Sequence, residues 1–183
     1  MSLRDLSESL ACINPYGGLN IHGNCVHCAI HTADVLVKNT VPHTVDGSLF
    51  WLPGLAAGES ACFKQTWNRP TLLLAYLIGQ GINQVYAAET EDHAYNLVVD
   101  SRHYVYVIDS NQQFYRHIRT IRDFIATAHN ESVFIRFEDD YANPPGGSNL
   151  DIYLWGELSP HWRKIIESSY LGIFQTAGGA YTI

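Results

Sequence analysis

Two runs dense in valine, tyrosine and isoleucine, Ala94–Val99 and Tyr104–Ile108, constrain this chain more than any other stretch of its 183 residues. Asp100-Ser101-Arg102 lies between them, so they read as the two strands of a hairpin. Apolar residues fall on both faces of each run, which predicts central strands covered on both sides, not a ribbon with one face in water. Helices must then supply the cover. Asn24 can cap one, with Val26, Ala29, Ile30, Ala33, Leu36 and Val37 following at helical spacing. Pro70 opens a second through Leu72, Leu73, Ala75, Tyr76 and Leu77, which Gly79 and Gly81 end. Ile82–Ala87 reads as a further strand, Ile118–Ala128 as a helix and Ser132–Phe137 as a strand. Residues 40–69 lack clean periodicity and read as a long, partly helical connection. Asn143-Pro144-Pro145-Gly146-Gly147 breaks the chain. The expected organisation is an α+β domain over residues 1–142, with residues 143–183 an appendage packed on it and a helix over Trp162–Tyr170.

Composition narrows the function classes. A chain of this length is one domain by size, and 46% hydrophobic with 12% aromatic content supplies a core without staples. Eleven Lys and Arg against 18 Asp and Glu give a net charge of −7. That excludes the basic field used to hold phosphate backbones or anionic lipid, so nucleic acid is not an expected partner. No apolar run reaches membrane-spanning length, and Met1–Leu10 carries charges where a secretion signal would be apolar. Neither a membrane span nor a signal peptide is expected, and a monomer is the expected state.

The four cysteines, Cys12, Cys25, Cys28 and Cys62, are too few for a disulfide frame and read as reduced thiols. His22, Cys25, Cys28 and His31 recur every three residues, a pattern with three readings. Structural zinc takes ligand pairs separated by a loop, whereas these four fall within ten consecutive residues. A redox CxxC needs a strand before it, and two glycines stand there instead. In the third reading, Cys25 is a nucleophile in the first turn of a helix, where unpaired amides and the macrodipole favour a thiolate. The approach Ile21-His22-Gly23 would let backbone donors come close to an oxyanion formed beside the sulfur. Cys28, one turn on, would pack.

A nucleophile needs a base and a group to orient it. His93 and Asp109 flank the hairpin strands. With a three-residue loop over 100–102, cross-strand partners sum to 202, which sets His93 directly opposite Asp109 on one face, Cβ atoms about 5 Å apart. The carboxylate could then hold the imidazole. Bland roles exist for each: Cys25 as an inert thiol, His93 at a strand end, Asp109 opening the Asn111-Gln112 turn, Asp34 facing solvent or an Arg. His22, His27, His31 and His103 are rival bases.

Asn14-Pro15-Tyr16-Gly17-Gly18 followed by Asn24-Cys25-Val26-His27-Cys28-Ala29 resembles the opening motif of the papain-fold toxin family, OspI-like bacterial effectors that deamidate glutamine side chains in host proteins. The family motif runs Asn-Pro-x-Gly-Gly, a short gap, then Asn-Cys-x-x-Cys-Ala. His93, two strands and Asp109, with Gln112 soon after, is similar to its His-strand-turn-strand-Asp-x-Gln block. The likeness covers residues 13–38 and 92–112. Here the gap after Gly18 is longer, and Ser110 and Asn111 separate Asp109 from Gln112. The resemblance implies a papain-like fold, with the Cys-bearing helix packed on a central antiparallel sheet that carries His and Asp. It further implies catalysis by Cys25, His93 and Asp109, with Gly23, Asn24 and Gln112 at the oxyanion and substrate positions. No metal or organic cofactor is implied. The substrate would be a host or competitor protein with an exposed glutamine, reached from the bacterial cytoplasm by a specialised secretion route. A transglutaminase or cysteine peptidase would use the same three residues. A non-catalytic zinc-binding or interaction module built on the CxxC and histidines is the reading from another class.

Overall fold

The computed structural model describes residues 3–15, 24–45, 63–67, 76–77, 79–89, 93–111, 113–118 and 150–176. Along them run α1 (Leu3–Leu10), a 3-10 turn (Ala11–Ile13), α2 (Cys25–Lys38), β1 (Phe63–Trp67), β2 (Gln84–Glu89), β3 (Ala94–Val99), β4 (Val105–Asp109), β5 (Phe114–Ile118), β6 (Leu150–Glu157) and α3 (Pro160–Thr176). The strands form one antiparallel sheet in the order β1-β6-β2-β3-β4-β5. The architecture is α+β. No helix among the described residues is long and apolar enough to cross a membrane.

The helix stripe read from the sequence is the packing face of α2. Val26, Ala29, Ala33 and Leu36 are buried, joined by Cys28, Thr32 and Val35. Val26 and Ala29 pack with Ala87, Ala94 and Tyr153 of the sheet, while Leu36 and Ala33 join Val85, Val98, Tyr106 and Ile108. Leu6 and Leu10 of α1 and Trp162 and Ile166 of α3 complete that cluster. The alternate residues Tyr86, Leu97, Val99, Val105 and Val107 are equally buried, so both sheet faces are covered, as the doubly apolar runs require.

The hairpin differs from its expected register in an informative way. Val99 pairs with Val105 and Asn96 with Ile108, so partners sum to 204 and the three-residue loop is 101–103. Asp100 sets the frame. Its backbone N–H donates to Tyr104 O at 3.0 Å, and its carboxylate Oδ1 accepts from the N–H groups of Arg102 at 2.8 Å and Tyr104 at 2.9 Å. His103 takes the left-handed position at φ 63° that this loop needs. A shift of two in the sum preserves parity, so His93 and Asp109 are diagonal, not opposite, neighbours and still share a face.

Other expectations change more. The charged segment before Leu10 forms α1. The connection over 40–69 contains β1, and the Ile82–Ala87 strand sits two residues later. Only Ile118 of the expected Ile118–Ala128 helix is described, and it closes β5. The Ser132–Phe137 strand and most of the Pro70 helix lie outside the described residues. Of the expected appendage over 143–183, residues 150–176 are described. Their strand β6 is inserted between β1 and β2, and their helix α3 packs against α1. A bulge at Val85 and Tyr86 leaves Trp155 as the extra residue of β6. Trp155 Nε1 donates to Asp34 Oδ1 at 2.9 Å, and Lys38 Nζ meets the same carboxylate at 2.8 Å, so Asp34 is engaged by a tryptophan and a lysine.

Candidate active site

The β3–β4 ladder ends at Asn96 and Ile108. Beyond that point β3 continues alongside β2 as far as Ala94 opposite Glu89, while β4 continues alongside β5 with Asp109 opposite Phe114. His93, the residue before β3, and Asp109, the last of β4, bridge the ends of the two strands. His93 Nε2 donates to Asp109 Oδ2 at 2.6 Å. Both are buried, Asp109 completely.

The start of α2 arrives at the same place. Cys25 is its first residue and is half-buried, whereas Cys28 is buried and Cys12 exposed, all three as free thiols. The Cys25 thiol lies within hydrogen-bonding reach of His93. Burial opposes a charged His93, but the charge and hydrogen bond of Asp109, with Cys25 adding to them, overcome it and raise its pKa to about 10. The shift favours the imidazolium form of His93, which can stabilise negative charge on the adjacent sulfur and donate a proton. Cys28 is the opposite case. Burial first, then the charges of Asp109 and Cys25, push its thiol up to about 12, against a weaker opposing hydrogen bond with Asn111. It is a packing residue beside the reactive one.

Asn24 holds the N-cap position but makes no side-chain cap. Its Oδ1 instead accepts from Asn111 Nδ2 at 2.6 Å, in the turn after Asp109. The first backbone bond of the helix, Cys28 N to Asn24 O, is formed at 2.9 Å. Asn14 Nδ2 donates to Asn111 O at 2.7 Å, and Gln113 Nε2 donates to Asn14 O at 2.8 Å. Thr32 Oγ1 and Ser110 Oγ share a further buried bond of 2.7 Å. Three segments distant in sequence are thus tied side chain to turn around Cys25, His93 and Asp109. Asn111 and Ser110 were not foreseen as site residues. Their only sequence signal is position just after a candidate catalytic carboxylate, in residue types that also fit an ordinary turn.

Cys25, His93, Asp109 and Asn24 are brought together. Gly23 and Gln112, expected at the oxyanion and substrate positions, lie outside the described residues, as do His22 and Cys62. Two of the rival bases, His31 and His103, are placed elsewhere. His31 lies against His43 with ring centroids 3.9 Å apart and planes tilted by 36°, its Nε2 accepting the His43 backbone N–H at 3.1 Å, and burial followed by His43 lowers its pKa. His103 is in the hairpin loop. Among the described residues no group of three or more His, Cys, Asp or Glu is disposed to hold a metal ion, so Cys25, Cys28 and His31 do not converge as ligands.

The arrangement can do acyl chemistry: an accessible thiol at a helix start, a protonated imidazole beside it and a buried carboxylate behind that imidazole. No family model matches the chain, and neither a curated protein nor a solved structure is similar enough to it to be counted a match.

Proposed function

We propose that this chain is a papain-like, cofactor-free thiol hydrolase that deamidates a glutamine side chain of a target protein, using Cys25 as nucleophile, His93 as acid and base, and Asp109 to orient His93. The observation that carries this reading is the 2.6 Å bond between His93 and Asp109 at the point where the Cys25 thiol comes within reach of the same imidazole. With its proton held on His93, the Cys25 sulfur attacks the carboxamide carbon and the carbonyl electrons move onto oxygen, which the first-turn amides of α2 can stabilise. As the tetrahedral intermediate collapses, the C–N bond breaks and ammonia leaves with the proton of His93. Water then gives a proton to His93 and attacks the thioester carbon. The C–S bond breaks, the sulfur is released and glutamate remains. Asp109 keeps its charge throughout and holds the ring in place.

The choice of glutamine, and the role of a bacterial effector delivered to another cell, are supported by the resemblance of Asn14–Gly18 and Asn24–Ala29 to the papain-fold toxins. The test is mass spectrometry of a cell lysate treated with wild type and with Cys25→Ala. Glutamine-to-glutamate changes confined to the wild-type sample are expected. Cross-linked products would replace this reading with a transglutaminase and fragments with a peptidase. Identical samples would remove the enzyme.

A further inference from the structure

Asn24 stands at the N-cap of α2 and is among the best residues for capping, yet its side chain does not cap. It is held by Asn111, two residues beyond Asp109, through a 2.6 Å bond in which both side chains are buried. Asn111 is itself fixed from the other side. Its carbonyl accepts from the fully enclosed Asn14, and its side chain also reaches the Cys28 thiol, one turn below Cys25. The residue therefore touches both ends of the turn Asn24–Cys28, which contains the nucleophile, while its backbone continues directly from the strand end that carries Asp109. Thr32 with Ser110 joins the same helix to the same turn two helical turns further along.

We propose that Asn111 is a positioning residue: by clamping Asn24 it sets the start of α2 against the end of β4, so that the Cys25 thiol faces His93. This rests on the thiol-hydrolase reading of the site, since the geometry it secures is that of Cys25 and His93. The clamp takes the Asn24 side chain out of capping and leaves the first-turn amides of α2 without that internal acceptor, beside the sulfur where an oxyanion would form.

The experiment follows alkylation of Cys25 by iodoacetamide from pH 5 to 9, with exposed Cys12 as an internal reference and mass spectrometry to assign the label. In wild type, Cys25 is expected to label faster than Cys12 on the acid side of the range, because an imidazole within reach activates the sulfur as a nucleophile. Asn111→Ala and Asn24→Ala each cut the same bond from opposite sides, so one remains informative if the other fails to fold. Each is expected to lower the acid-side labelling of Cys25 by about tenfold or more, the scale of losses from small misplacements of reacting groups. The double variant should lose no more than the worse single, because both act through one contact. Thr32→Val, which deletes the other tie between the same elements, should leave the profile within about twofold. Unchanged profiles in Asn24→Ala, additive losses in the double variant, or an equal loss in Thr32→Val would each overturn the positioning role alone. If wild-type Cys25 labels no faster than Cys12 at every pH, the thiol-hydrolase reading falls and the positioning role falls with it.

Discussion

Replacing Asp109 with asparagine should reverse the sign of the pH dependence that His93 imposes on stability. In the wild type His93 rises from 6.5 to about 10, so folding binds a proton at this site anywhere between those values. Its contribution is full below pH 6.5 and is lost as pH rises toward 10, at up to about 1.4 kcal/mol per pH unit. Over the whole interval that is at most about 5 kcal/mol, and both partners are buried, so little of it is screened by solvent. The amide introduced by Asp109→Asn would keep a hydrogen-bond acceptor but not the charge. The largest influence on His93, burial, then acts without its main opponent and pulls the pKa below the ordinary value. In the variant, stability no longer declines above pH 6.5 on account of His93; it declines as pH falls below 6.5, when a buried neutral imidazole must charge. Urea unfolding of both proteins at pH 7, 8 and 9, each in a Cys25→Ala background so that the coupled thiol does not offset the proton on His93, measures this directly, and the difference between them cancels the remaining groups they share. The variant is expected to be less stable at pH 7, by up to about 3–5 kcal/mol for a broken buried pair. Its deficit should then shrink by about 3 kcal/mol between pH 7 and 9 at unchanged m-value. A deficit independent of pH across that range, or a wild-type His93 whose ring protons titrate near 6.5 by NMR, would refute the reasoning.

Three further outcomes follow from other parts of the molecule. A Cβ at Gly156 would lie 2.7 Å from Val37 Cγ1 on α2, so Gly156→Ala should cost about 1–3 kcal/mol in urea unfolding, and adding Val37→Ala should recover part of it. Asp100 is fully buried and accepts from the backbone of Arg102 and Tyr104, from the Arg102 guanidinium at 2.7 Å and from the Tyr106 hydroxyl at 3.0 Å. Asp100→Ala should cost about 3–5 kcal/mol by stranding those donors, seen as a lower urea midpoint. Cys28→Ala removes a buried thiol that is pushed away from reactivity, so it should destabilise by about 0.5–3 kcal/mol while leaving acid-side alkylation of Cys25 within about threefold, read by mass spectrometry.

What could be read from the sequence follows the range of the interactions involved. The Cys25–Lys38 helix and the Ala94–Val99 strand are written in local periodicity, and both are found where the spacing places them. β1 and α1 are not, because one is a short strand in a stretch without alternation and the other a short charged helix whose Leu6 and Leu10 are buried against α2 and α3 from far along the chain. β6 escaped for a related reason. It pairs with β2 some seventy residues earlier, and a partner at that distance leaves no mark on neighbouring residues.

The site shows how a partly wrong step can still reach the right face. The hairpin register was inferred from a loop beginning at Asp100, but Asp100 is spent on fixing the loop, its backbone still pairing with Tyr104. The frame moves by one residue on each strand, the sum by two, and parity survives, so His93 remains on the face of Asp109. A slip of one in the sum would have separated them. Asn24 makes the complementary point. Its residue type and position predict a cap, and the helix does begin there, but a buried donor from Asn111 competes for the same oxygen and wins. A side-chain cap contributes about 0.5–2 kcal/mol, whereas an Asn111 amide left unpaired in the interior costs about 1–3 kcal/mol. The bond that local chemistry favours therefore yields to the one that burial enforces, and this contest is resolved at the residue preceding the nucleophile.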